Sequence, residues 1–105
     1  MKFVFIYITA KNKKEAEAIG RFLVKERLAA CVNIIDKIES IYWWEGKIQE
    51  DKEVILIAKT KENLTDKLIK AVKQIHSYDC PCIIALPIVG GNKDYFDWIK
   101  KETKK

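Results

Sequence analysis

Two extended segments, residues 30–44 and 47–59, are separated in this sequence only by Glu45-Gly46. Gly46 is free to take positive φ, so the pair reads as one hairpin closed by a very short turn. Fifteen and thirteen residues at about 3.3 Å each give strands of roughly 43–50 Å. A compact domain of 105 residues has a radius of gyration near 13 Å, or a diameter of roughly 30–35 Å. The hairpin must therefore project from its own core or bend sharply. Its tip carries Ile41, Tyr42, Trp43 and Trp44, an apolar patch that water does not favour. The expected cover is another copy of the same chain. Large aromatics anchor such contacts, which assigns Tyr42, Trp43 and Trp44 to the subunit interface.

The rest of the chain alternates strands with amphipathic helices. Residues 3–9 are a continuous apolar run rich in aromatic and β-branched residues, which predicts a central strand buried on both sides. Asn12 followed by Glu15 predicts a capping box. Ala16, Ile19, Leu23 and Arg27 mark one stripe of a helix over 13–27. Within the hairpin's second strand, Val54 to Ala58 is the buried part. Thr60 is expected to cap a second helix with the stripe Leu64, Leu68, Ala71, Val72 and Ile75. A fourth strand over 83–89 contains Pro87, which suits an edge or a strand end. Gly90-Gly91 breaks the chain, and Asn92 caps a last helix through about Lys101. The order βαββαβ plus a C-terminal helix is α+β: a ferredoxin-like sandwich with both long helices on one face, in a single domain over 1–105.

Composition narrows the class. At 49% hydrophobic and 33% charged the chain can bury a core. No apolar run approaches the roughly 20 residues of a membrane span, so no membrane role is expected. The apolar start is short and is followed by Lys11, Lys13 and Lys14 rather than a cleavage site. A cytoplasmic location is the expectation. The net charge of +5 owes much to Lys100, Lys101, Lys104 and Lys105, which suit a solvated helix end, and no nucleic-acid partner is expected from basicity alone. An RNA-recognition module has the same topology, but Glu53-Val54-Ile55-Leu56-Ile57 lacks its stacking aromatics. Three cysteines exclude a complete intrachain disulfide set, and Cys31, in an apolar run, is expected in the core.

The densest polar constellation is His76-Ser77-Tyr78-Asp79-Cys80-Pro81-Cys82. Imidazole and thiolate suit copper(I) or zinc, and Cys80 and Cys82 share a side in extended chain. His76, Cys80 and Cys82 are thus the candidate metal ligands, short of a closed four-ligand zinc site unless an oligomer adds donors. The alternative leaves His76 as a helix C-cap and the cysteines as packing residues. A nucleophilic Cys–His pair lacks any visible orienting residue or oxyanion signature, so no enzyme is expected. A heavy-metal-associated domain would need Cys-x-x-Cys after the first strand, where this chain has Thr9-Ala10-Lys11-Asn12.

Arg27-Leu28-Ala29-Ala30-Cys31-Val32-Asn33-Ile34, Tyr42-Trp43-Trp44-Glu45-Gly46-Lys47-Ile48, Lys59-Thr60, His76-Ser77-Tyr78-Asp79-Cys80-Pro81 and Asp94-Tyr95-Phe96-Asp97-Trp98 together resemble the successive signatures of the CutA family. The resemblance runs the length of the chain. It implies a homotrimer packed through sheet edges and hairpins like PII signalling proteins, and a role in tolerance of copper and other divalent cations. It needs no cofactor, with copper or another divalent metal as an optional ligand. The PII likeness also implies an inter-subunit cleft for a small molecule, an anion or a protein partner, lined by Lys59, Tyr78, Tyr95 and Trp98, with core and interface packing as the alternative role of these residues. The family often has His-Pro-Tyr where His76-Ser77-Tyr78 stands, and a glutamate at the place of Cys82. Ile8 replaces a cysteine found in some members, which weakens transfer of a metal site built on it.

Overall fold

The computed structural model describes Met1–Lys105. Its elements are β1 (Phe3–Ala10), α1 (Lys13–Lys25), β2 (Cys31–Trp44), β3 (Lys47–Lys61), a 3₁₀ turn (Glu62–Leu64), α2 (Thr65–Ile75), β4 (Ile83–Ile88) and α3 (Lys93–Glu102). The four strands form one antiparallel sheet in the order β2-β3-β1-β4. This is the ferredoxin-like α+β arrangement. Pro87 lies in edge strand β4, where no ladder donor is missed.

Strand alternation assigns the two faces. Val4, Ile6 and Ile8 pair with Thr60, Ala58 and Leu56 on one side and join Ile19 and Leu23 of α1 and Leu68 and Val72 of α2 in the main core. Gly20 lets α1 lie close to the sheet, because a Cβ there would stand 2.9 Å from Val32 Cγ2. The other face holds Phe5, Tyr7, Ile57, Ile84 and Leu86. α3 reaches part of it: Phe96 stacks on Phe3 with ring centroids 4.9 Å apart, and Ile99 is fully buried. The remainder is open, so β1 is central but covered by helices α1 and α2 on one face only. The continuous apolar run overstated its burial within the protomer.

The hairpin projects. The molecule measures 45 × 25 × 22 Å, and β2 and β3 remain paired to Trp44↔Lys47. Glu45 (φ 51) and Gly46 (φ 78) make the turn, both in the left-handed region that two-residue hairpin turns favour. Partway along, Asp36 and Lys37 oppose one residue of β3, between the pairs Ile35↔Ile55 and Ile38↔Glu53. Lys37 takes φ 64 at this bulge. The extra residue reverses the side-chain parity of β2. Beyond it Ser40, Tyr42 and Trp44 point to the open-face side, while Ile41 and Trp43 point to the other.

Several local expectations are corrected. Thr60 does not cap a helix: it sits inside β3 opposite Val4, fully buried, with its hydroxyl unpartnered. The strand continues because Glu62 N–H donates to Lys2 O at 2.9 Å, and α2 starts after the 3₁₀ turn. Arg27 lies past the end of α1 with φ 57, and its guanidinium meets Glu102 at 2.8 Å, tying the end of α1 to α3. Cys31 is half-buried on the open face, not in the core, because the pre-bulge parity of β2 turns it from the helices. Asn12 caps α1 by accepting from Glu15 N–H at 2.8 Å, but Glu15 does not close the box on Asn12. Its Oε1 accepts from Lys11 N–H at 3.0 Å. Asn92 caps α3 by accepting from Asp94 N–H at 3.0 Å.

Candidate ligand cleft

A cleft of about 560 Å³ lies where the hairpin passes the 78–82 loop. The bulge turns Tyr42 and Trp44 towards it, β1 gives Tyr7 and Thr9, β3 gives Glu53, and the loop gives Tyr78, Cys80 and Cys82. Tyr78 Oη donates to Glu53 Oε2 at 2.7 Å. Burial first, and that hydrogen bond second, hold the Tyr78 phenol well above the usual tyrosine range. Tyr42 donates to Asp51 across the hairpin. Burial also raises the Cys82 thiol, with the Glu53 charge adding to it and a hydrogen bond with Thr9 opposing it.

His76 is built into the loop. Its backbone N–H closes α2 on Val72 O at 2.9 Å, so it is the C-cap. Nε2 lies 2.8 Å from Thr9 O and Nδ1 accepts from Tyr78 N–H at 3.1 Å. A carbonyl only accepts, so Nε2 carries the proton. Both ring nitrogens are occupied, and neither contacts a thiol. A metal would have to displace one of these bonds. Cys80 and Cys82 do share the cleft, yet no group of three or more His, Cys, Asp or Glu side chains in the protomer is arranged to hold a metal.

Glu15, unnoticed as a site residue in the sequence, braces the same loop: Oε2 accepts from Ser77 N–H at 3.0 Å. Burial would raise its carboxyl, but hydrogen bonds from Ser77 and Lys11 and the nearby His76 outweigh this and lower it from 4.5. A lowered carboxyl stabilises above its unfolded value and loses that contribution as pH falls through the folded value. The stability difference between wild type and Glu15→Gln, from urea denaturation, is expected to be largest at pH 7 and to shrink below about pH 4.5. A difference constant from pH 7 to 3 would remove the ionised brace.

The four residues expected in one cleft divide in the protomer. Lys59 Nζ donates to Tyr95 Oη at 3.4 Å, and Tyr95 and Trp98 have ring centroids 5.4 Å apart. Tyr78 instead joins Glu53, six residues from Lys59 along β3, which is roughly 20 Å. Tyr42, Trp43 and Trp44 remain exposed, Trp43 at 72%.

The model of the family described as CutA1 divalent ion tolerance protein matches residues 4–102. The chain belongs to this family. It is 50% identical over 101 residues to the rice protein CutA 1, chloroplastic, covering 96% of this chain and 57% of that one. To the divalent-cation tolerance protein CutA of Thermus thermophilus it is 45% identical over 98 residues, covering 93% and 95%. This CutA1-family chain thus spans a little over half of the plant relatives and nearly all of the Thermus one. The crystal structure of CutA1 from Oryza sativa superposes with a TM-score of 0.97 at 48% identity, covering 100% and 96% of the two chains. The periplasmic divalent cation tolerance protein CutA from Archaeoglobus fulgidus gives 0.94 at 45% identity, covering 97% and 99%. The family is named for tolerance and not for a reaction.

These names correct the cytoplasmic expectation. The rice and Arabidopsis relatives are chloroplastic by name and the Archaeoglobus protein periplasmic. The same folded domain occurs under several compartment names, so its own residues do not report a compartment. No helix here is long and apolar enough to cross a membrane.

Proposed function

We propose that this chain acts in divalent-cation tolerance as a non-catalytic homotrimer, one domain per subunit, that meets copper(I) through Cys80 and Cys82. The observation that carries the assembly is the uncovered apolar sheet face. Ile84 is 54% and Leu86 46% exposed beside Phe5, while Ile41 and Trp43 stand bare at the hairpin tip. A second copy is the natural cover, and the family resemblance supplies the number three. For the metal, two sulfurs line one cleft, and two thiolates suffice for copper(I), whereas zinc needs further donors.

Both cysteines bind as thiolates, so protons compete with copper(I) for sulfur and affinity rises with pH. Anaerobic competition against a copper(I) chelator should give wild type the advantage over Cys80→Ser and Cys82→Ser. The gap should widen from pH 6 to 8. Equal competition by all three would return both cysteines to packing and remove the metal part of the reading.

The second reading is a PII-like regulatory trimer whose cleft takes a small ligand. The burial of Glu53 favours it.

A further inference from the structure

Glu53 is 9% exposed, and buried carboxylates are ordinarily matched by a cation. None is supplied here. The ion pairs of the protomer are Arg21–Glu17, Arg27–Glu102 and Lys93–Asp97, although the chain carries an excess of positive charge. Tyr78 donates to Oε2, and Oε1 receives no hydrogen bond within the protomer. That oxygen is not sealed away either, since the buried side-chain atoms without a partner are the hydroxyls of Thr60 and Thr65. No Lys or Arg lines the cleft, and Asp79 adds a second carboxylate to its wall.

The aromatic rings of Tyr7, Tyr42, Trp44 and Tyr78 stand in the same wall. A carboxylate among aromatic rings is the chemistry that holds an ammonium group: the charge meets the carboxylate, and the methylene or methyl groups meet the ring faces. The cleft volume lies within the range of small-molecule sites and far exceeds a bare ion. A divalent metal ion, which needs more donors than the two thiols, also finds no group of three ligating side chains in the protomer. We propose that this cleft binds a small organic cation, a primary or quaternary ammonium compound, with its charge against Glu53. This deepens the ligand-binding reading above by naming the ligand class.

Choline is a suitable probe, with 3,3-dimethylbutanol as its neutral isostere of the same shape. Calorimetric titration of the full chain should give saturable choline binding, with the isostere weaker by about tenfold or more, as loss of a charge-assisted, ring-facing contact implies. Glu53→Gln should weaken choline by a similar factor and leave the isostere unchanged. Equal affinity for choline and the isostere, or no saturation by choline, would overturn the proposal. That comparison uses wild type and does not depend on how the variant folds. Light scattering on the same samples separates the two readings. A trimer that ignores choline overturns the cation alone, and charge-selective binding by a 12.2 kDa species overturns the assembly alone. If wild type ignores choline and Glu53→Gln falls apart, a neighbouring subunit supplies the countercharge and the proposal fails.

Discussion

Replacing Ile84 and Leu86 together with aspartate is expected to convert the proposed trimer to single chains, with the scattering mass falling to about 12.2 kDa. Both side chains sit on the open sheet face, opposite Tyr7 and Phe5. Neither touches the core built by α1 and α2, so the protomer should still fold. Two carboxylates placed at an apolar contact must be desolvated without partners, which costs several kcal/mol. Far-ultraviolet circular dichroism should keep the mixed helix and sheet signal. An unchanged mass at micromolar concentration would show that this face is not the contact, and the exposed hairpin tip would have to carry assembly alone.

Leu56→Ala is expected to act on the opposite face and with the opposite signature. Leu56 is fully buried, paired with Ile8 on one side and Ile34 on the other, directly under Gly20 of α1. Truncation removes apolar contacts and leaves a cavity between strand and helix, for which the usual loss is about 2–5 kcal/mol. Urea denaturation at one fixed protein concentration should show the midpoint drop with little change in the oligomer mass of the folded fraction. A loss below about 1 kcal/mol would mean that α1 settles onto the sheet and fills the space, which the tight Gly20–Val32 approach argues against.

The elements themselves were legible because their signals are local. The 3.6-residue stripes placed α1 and α2, Asn12 and Asn92 marked the caps, and Glu45-Gly46 marked the turn. Boundaries failed where tertiary contacts decide them. Thr60 has the chemistry of a cap, but β3 runs on past it because β1 offers a partner strand. The two faces of β1 were not legible, since a run of Phe, Val, Ile and Tyr reads alike whether its second cover is a helix or another chain. The candidate site was seen only in part. His76, Tyr78, Cys80 and Cys82 stand together in the sequence and attracted notice. Glu53 and Glu15 lie far from them among many surface carboxylates, and only the folding of the hairpin and α1 against the 76–82 loop sets them apart. A signal for Glu53 was present: its same-face neighbours Ile55 and Ile57 are apolar, which is unusual company for a solvated acid.

The bulge at Asp36–Lys37 has a consequence for how this sequence can change length. Most surface connections absorb a lost or gained residue at small cost. Here the extra residue is absorbed by the bulge, so the pairs on either side of it, Ile35↔Ile55 and Ile38↔Glu53, share one face of the sheet. Deleting either residue leaves a single residue opposite Val54 and restores simple alternation with both pairs intact. Tyr42 and Trp44 then stay on the side of the open face, and Ile41 and Trp43 on the other. What the deletion removes is the extra bend and twist of a bulged strand. The outer hairpin would present the same side chains along a different direction, both to the cleft and to a neighbouring subunit.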